Sequence, residues 1–222
     1  MKRPPKGARE TGRRPAPRSI PTYGPDEFQR DTLVSRETLD RLQAYVDLLL
    51  RWNARINLIG RDSEGDVWRR HILDSAQLAP LIPESARNLA DIGAGAGLPG
   101  LILSILNIPA TIHLIEPDQR KAAFLREAAR IAQASVIIHE TRVEQVSLSS
   151  QDVVVARACA PLDKLLDMAE KLISIHTLCV FPKGARAEQE LTAARARWNM
   201  LARLVPSRSD PLGRILVLTE VA

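Results

Sequence analysis

The chain has 222 residues, 45% of them apolar and 26% charged, enough for one domain with a real core and an extension. No uninterrupted apolar run approaches the roughly 18 to 20 residues that span a bilayer, and the N-terminus lacks a secretory-type apolar segment, so a soluble, cytoplasmic protein with no membrane partner is predicted. The net charge of +5 is unevenly placed: residues 1–25 hold Lys2, Arg3, Lys6, Arg9, Arg13, Arg14 and Arg18 against Glu10 alone, which is +6 from one end and leaves the remainder at −1.

That first segment also carries six prolines and no apolar periodicity, so residues 1–31 are predicted to be a basic, proline-rich, disordered tail. It reads either as a phosphate-seeking arm for RNA or as a solvated leader. Scarce serine and the lack of an amphipathic pattern speak against an organelle transit peptide. From Ser35, a good N-cap, Leu39, Leu42, Tyr45, Val46, Leu49 and Leu50 fall at three-to-four spacing and predict an amphipathic helix from about Arg36 to Ala54. Asn57 to Gly60 breaks it, Arg61 to Gly65 is a polar connection, and Val67, Trp68, Ile72 and Leu78 mark a second helical stretch that ends before Pro80 or Pro83. Residues 32–84 thus form a helical extension that must pack on something else.

Residues 85–222 alternate strand and helix, the pattern of an α/β unit with a parallel sheet covered on both faces. Strands are predicted at Arg87 to Ile92, Thr111 to Glu116, Ser135 to His139, Asp152 to Ala156, Thr177 to Phe181, Ala202 to Val205 and Ile215 to Thr219. Helices are predicted at Leu98 to Leu106, Gln119 to Ala132, Leu162 to Ile175 and Ala185 to Asn199. Only a turn, Ser207 to Gly213, separates the last two strands, which predicts an antiparallel hairpin. Cys159 and Cys179 have no zinc-ligand or disulfide spacing and read as buried free thiols, and no metal site is expected.

The first strand runs through Asp91 into Gly93-Ala94-Gly95-Ala96-Gly97-Leu98-Pro99-Gly100. Glycines there let backbone approach a ligand closely, and the next helix offers free N–H groups and the positive end of its dipole. Gly95 to Gly100 fits the dinucleotide fingerprint, with Glu116 where a ribose-binding acid is expected, so an NAD-dependent oxidoreductase is one reading. Asp91 before the loop would repel a pyrophosphate and suit a cationic ligand, which favours S-adenosylmethionine. The terminal hairpin points the same way. On that reading Gly93, Gly95 and Gly97 line the cofactor and Glu116 accepts from its ribose hydroxyls, with Asp118 left to cap the following helix.

DIGAGAGLPG at 91–100 is accompanied by NLIG at 57–60, RHILDS at 70–75, IEPDQRKAAFLREA at 115–128, TRVE at 141–144, VARACAPL at 155–162 and FPKG at 181–184. In these runs the chain, from about residue 35 to its end, resembles the glucose-inhibited division protein B family of bacterial small-subunit rRNA guanine-N7 methyltransferases. The resemblance implies a class I, Rossmann-like methyltransferase fold, seven strands in the order 3-2-1-4-5-7-6 with strand 7 antiparallel. It implies S-adenosylmethionine as cofactor, S-adenosylhomocysteine as product, and a guanine of 16S rRNA, naked or in the small ribosomal subunit, as substrate. It also implies that Gly93 and Leu98 contact the cofactor, that Val143 and Glu144 hold its adenine, and that Arg157, at the carboxyl edge of the fourth strand, lies beside it.

His71, Asp74 and Ser75 would share one helix face. A Ser-His-Asp triad needs groups converging from separate elements and is set aside. A mutually satisfied structural pair and a wall of the active site both remain open, the resemblance raising the second. Lys183 and the basic residues Arg69, Arg70, Arg120, Lys121, Arg126, Arg186 and Arg195 are candidates for rRNA phosphates, against the plain reading of solvated helix faces. Trp52, Trp68 and Trp198 read as core. Guanine N7 carries a lone pair and no proton, so no general base is expected. A non-catalytic RNA-binding or ribosome assembly factor with such a pocket is a further alternative, and a monomer is expected.

Overall fold

The computed structural model describes residues 23–222; the greater part of the basic tail lies outside them. The tail was expected to run to residue 31, yet helix α1 spans Pro25–Thr32. Proline at the first helical position pre-sets φ, the Gly24 N–H donates to Glu27 Oε2 at 3.0 Å, and Phe28 is fully buried with its ring 5.5 Å from that of Trp68. One aromatic anchor, hidden in a polar composition, orders the segment. Helix α2 spans Arg36–Asn53, and Ser35 Oγ accepts the Thr38 N–H at 3.1 Å as its cap.

The second helical stretch is not the plain α-helix its periodicity predicts. A 3₁₀ segment, Arg61–Asp66, leads into a π-helical turn, Trp68–Leu73, and only then into the short α3, Asp74–Ala76. The wider turn buries four of its six residues, Trp68, His71, Ile72 and Leu73. Such turns are uncommon and often accompany functional sites.

The sheet comprises β1 (Asn88–Ile92), β2 (Thr111–Ile115), β3 (Val136–His139), β4 (Val153–Val155), β5 (Leu178–Lys183), β6 (Leu201–Pro206) and β7 (Arg214–Thr219) in the order β3-β2-β1-β4-β5-β7-β6. Helices α4 (Gly100–Ile105), α5 (Gln119–Ile131), α6 (Leu162–Ala169) and α7 (Ala187–Ala194) connect them. Side chains alternate across each strand: Leu89, Val153, Val155 and Val180 join α2, α4 and α5 in one core, while Ala90, Ile92, Val154 and Phe181 join α6 and α7 in the other. The helical extension therefore shares its core with the sheet.

Strands β5 and β7 pair antiparallel with Lys183 opposite Arg214. That register carries the β6–β7 turn to the same edge as the carboxyl ends of the parallel strands. Cys179 in β5 is buried as expected, but Cys159 is exposed; its apolar sequence neighbours are small loop residues after β4 rather than a core. Among the described residues no helix is long and apolar enough to cross a membrane.

Helix α2 is tied to the end of α5 and to the glycine loop. Arg41 Nε donates to the Ala132 carbonyl at 2.8 Å, and the fully buried Tyr45 donates its hydroxyl to the Ala96 carbonyl at 2.7 Å. Removing that hydroxyl leaves a buried carbonyl unsatisfied, so Tyr45→Phe is expected to lower stability by about 1 to 3 kcal/mol in urea unfolding. An unchanged midpoint would show that the contact contributes nothing.

Candidate functional site

The carboxyl ends of the parallel strands open on two cavities. At the first, β1 passes into Gly93, which has φ +66°; a Cβ there would lie 2.9 Å from Cys159 Sγ, so only glycine lets these two loops approach. Glu116 follows β2 directly. Its Oε2 accepts the Gly95 N–H at 2.8 Å and its Oε1 accepts the Asp118 N–H at 2.9 Å, so one carboxylate ties the glycine loop to the turn into α5. Asp118 caps α5, accepting from the N–H groups of Arg120 and Lys121. Each Glu116 oxygen keeps a further lone pair, and the residue, although only 4% exposed, lines a cavity of ≈ 300 Å³. Gly93, Val143, Glu144 and Arg157 line it too. So do Lys121, Arg142, Cys159 and Met168, which no motif in the sequence marks for this pocket.

The other loop residues are placed differently. Asp91 alternates to the opposite face from Ile92 and sits under the start of α4, its Oδ2 accepting the Gly100 N–H at 2.8 Å. Its Oδ1 is buried without a partner. Burial pushes this carboxyl up to about 7, against the lowering effects of the Gly100 N–H and of Arg157. Gly97 has φ +82° and a Cβ there would meet Leu101 at 2.7 Å, a packing demand of the turn. Leu98 is buried in the core.

The second cavity is a cleft of ≈ 1000 Å³ between the helical extension, the loops after β4 and β5, and the β6–β7 turn. His71, Asp74, Arg157 and Lys183 all line it, brought together from the π-helical turn, α3, the loop after β4 and the end of β5. Arg157 Nη1 donates to His71 Nδ1 at 2.8 Å and to the Arg70 carbonyl at 3.2 Å, and lies 3.5 Å from Asp74 Oδ2. An arginine cannot accept, so His71 Nδ1 must be unprotonated. Its Nε2 then carries the proton and donates to Ser63 Oγ at 2.7 Å, whose own proton goes to the Gly60 carbonyl at 2.6 Å. Burial, with Arg157 and Arg70 nearby, lowers His71 to about 3. The imidazole is neutral and fully engaged.

Ser75 is not part of this wall: it is fully buried and donates to the His71 carbonyl at 2.8 Å. Its place three-to-four residues along from the others assumed an α-helix that the π-helical turn replaces. Lys183 pairs with Glu190 Oε2 at 2.9 Å and donates to the Ala160 carbonyl at 2.7 Å. Of the basic candidates, Arg70 and Arg186 line the cleft. Arg69 stacks over Tyr23, and Arg120 and Arg126 pair with Asp118 and Glu140. Among the described residues no cluster of three or more His, Cys, Asp or Glu could hold a metal ion.

The two cavities share Arg157, Ala158 and Cys159. Ala158 has φ +51°, a conformation that costs a non-glycine residue about 1 to 2 kcal/mol. Backbone strain is therefore held where the cavities meet.

The family model described as GidB, rRNA small subunit methyltransferase G, matches residues 38–209. The chain is 51% identical over 199 residues to "Ribosomal RNA small subunit methyltransferase G" of Paramagnetospirillum magneticum, covering 90% of this chain and 97% of that one. It is 50% identical over 202 residues to the protein of the same name from Rhodospirillum centenum, covering 91% and 93%. Its fold is similar to that of magnesium protoporphyrin IX methyltransferase from Synechocystis, solved with bound S-adenosylmethionine, at a TM-score of 0.55 and 13% identity over 83% of this chain and 97% of that one.

Two buried groups in this region titrate in opposing directions. Folded Asp91 keeps a proton that the unfolded chain loses near 3.8, so this group makes stability fall as pH rises from 3.8 to about 7. His71 stays neutral down to about 3 while the unfolded chain takes up a proton below 6.5, so it makes stability rise over that window. Urea unfolding across pH 4 to 7 (roughly the overlap of the two windows) is expected to show a steeper rise for Asp91→Asn than for wild type. The same measurement on His71→Gln is expected to tilt the other way; slopes equal to wild type in both variants would contradict these protonation states.

Proposed function

The chain belongs to the rRNA small subunit methyltransferase G family, and on that premise we propose that it transfers a methyl group from S-adenosylmethionine to N7 of one guanine in 16S rRNA, releasing S-adenosylhomocysteine. The observation that carries the reading is the meeting of two unlike cavities at Arg157, Ala158 and Cys159. The smaller is of ligand size and presents a carboxylate; the larger is wide enough for part of a polymer and bears Arg70, Arg157, Lys183, Arg186 and Arg214 on its walls. A donor in one and an acceptor in the other would face each other across three residues.

The residues present fit the cofactor. Glu116 offers two acceptor oxygens already aimed by backbone N–H groups, which suits a ribose diol. The turn Val143–Gln145 begins with N–H groups that have no intrahelical acceptor, which suits an adenine edge. Gly93 permits close approach, and Arg157 closes the end of the cavity. Asp91, Gly95, Gly97 and Leu98 act by shaping the loop, Asp91 through the hydrogen bond its Oδ2 accepts from the Gly100 N–H. When bound, S-adenosylmethionine supplies a methyl group activated by its sulfonium charge.

The chain's own task is alignment and exclusion of water. Guanine N7 has a lone pair to give and no proton to lose, so no side chain need act as a base. His71, the one histidine at the cleft, is unsuited to that role because both ring nitrogens are committed. Its neutral ring holds Arg157 instead. Asp74 stands beside the shared Arg157, and the basic side chains of the outer cleft meet phosphates. The proposal includes a monomer acting on naked 16S rRNA or the small ribosomal subunit, in the cytoplasm where ribosomes assemble. The dinucleotide reading of Gly95 to Gly100 has no further support, given the family and the antiparallel β7.

Methyl transfer from labelled S-adenosylmethionine to 16S rRNA, offered naked and as assembled subunits, is expected to give N7-methylguanosine at a single position. Label only on small molecules, or on a pyrimidine, would overturn the proposal. Glu116→Gln is expected to weaken S-adenosylhomocysteine binding by roughly tenfold or more in calorimetry, the scale of a charge-assisted hydrogen-bond pair. An unchanged affinity would remove Glu116 from the cofactor site.

A further inference from the structure

Gln77 lies outside every motif of the sequence reading, yet it is nearly buried, at 7% exposure, and holds together segments some 130 positions apart. Its Oε1 accepts the Arg208 N–H at 2.7 Å, which settles the orientation of the amide because only the oxygen can accept. Its Nε2 then faces Asp74 Oδ1 at 3.0 Å and Ser207 Oγ at 3.1 Å. Ser209 Oγ donates to the same Asp74 oxygen at 2.5 Å, and Ser207 and Ser209 hydroxyls are 2.9 Å apart.

Gln77 Nε2 also has the Asp74 carbonyl at 3.2 Å and Ser209 Oγ at 3.3 Å within reach, and the shortest contacts give the following arrangement of protons. Gln77 gives one to Asp74 and one to Ser207; Ser207 gives its own to Ser209; Ser209 gives its own to Asp74. The chain of donors ends on the Asp74 carboxylate, whose other oxygen faces Arg157 at 3.5 Å. The β6–β7 turn, which is the far wall of the larger cleft, is thereby fastened to the near wall by a buried, directional network. The hairpin itself supplies few other ties there: Arg208 reaches the Asp31 carbonyl at 3.2 Å, and Leu212 at the tip is 67% exposed.

We propose that Gln77 is a positioning residue that latches the β6–β7 turn to Asp74 and Arg157 and so sets the shape of the cleft for its RNA substrate. It touches neither cavity's contents itself. This inference rests on the reading of the cleft as the rRNA site. A latch of this kind separates two quantities: grip on the polymer depends on the far wall, whereas cofactor binding in the smaller cavity does not.

The test compares wild type, Gln77→Met, Ser209→Ala and the double variant, with 16S rRNA as substrate. Gln77→Met keeps the side chain's bulk and loses its hydrogen bonds. It is expected to raise KM for rRNA by roughly tenfold, the scale of one or two lost buried hydrogen bonds, with kcat and S-adenosylhomocysteine affinity within about twofold of wild type. Amide exchange over residues 207–213 should quicken in both single variants while β1 and β2 keep their protection. Because the two residues act through one carboxylate, the double variant should raise KM by less than the product of the single effects.

An unchanged KM for rRNA, a fall in cofactor affinity of the same size, or unaltered exchange at 207–213 would each overturn the proposal. Should Gln77→Met fail to fold, Ser209→Ala, a milder cut in the same network, must give the same split. A wild-type enzyme that methylates no rRNA would instead remove the functional reading beneath, and is recognised by its inactivity before any variant is compared.

Discussion

Much of the site depends on where one guanidinium is held. Arg157 emerges from β4 and is fixed by acceptors from the π-helical turn and α3: the Arg70 carbonyl, His71 Nδ1 and Asp74 Oδ2. A partly buried cation is costly unless it is paired and hydrogen-bonded, and here all three acceptors come from the helical extension. The extension is thus more than a cover for apolar surface. It completes the electrostatics of a strand end that the α/β unit could not satisfy alone, and in doing so it turns that strand end into a wall shared by two cavities.

The same logic explains two groups that look misplaced in isolation. Neutral His71 in a charged cleft is an acceptor for Arg157 on one side and a donor to Ser63 on the other; a protonated ring would set cation against cation. Asp91, fully buried with one oxygen unpartnered, opposes stability at neutral pH. Its other oxygen caps the first N–H of α4, and Gly100 is the residue there because a Cβ would press on Leu114 and on Asp91 itself. The loop's shape is maintained by a carboxylate whose charge the fold barely tolerates.

How much of this was legible in the sequence follows from the range of the interactions. The seven strands, the Ser35 and Asp118 caps and the terminal hairpin rest on local periodicity and turn chemistry, and they stand where the residues imply. Glu116 could be singled out because an acid directly after the second strand is where such a fold is expected to place a ribose-binding group. Cys159 could not be placed, since small neighbours look alike in a core and in a loop. Phe28 escaped notice because a lone aromatic in a polar, proline-containing run has no period. Ser75 lies away from the cleft for a different reason: i, i+3, i+4 geometry presumes an α-helix, and here a π-helical turn buries Trp68, His71, Ile72 and Leu73, which local periodicity does not encode. Gln77 has no local signal at all, because its partners are near only in space.

The reversed strand β7 gives the fold its second cavity. In a parallel strand at that position the connection into it would arrive at the edge opposite the carboxyl ends, and no loop from it would overhang the site. With β7 antiparallel to β5 and Lys183 facing Arg214, its first residue lies at the active edge and the β6–β7 turn projects over the cleft. Hairpin turns are usually mobile and polar, so a wall made from one needs an anchor outside the sheet. The helical extension supplies one, and Gln77 and Asp74 stand on it. Sheet topology, the extension and the buried amide network are therefore parts of one arrangement: the strand reversal supplies the wall, and the network built around Asp74 keeps it in register with Arg157.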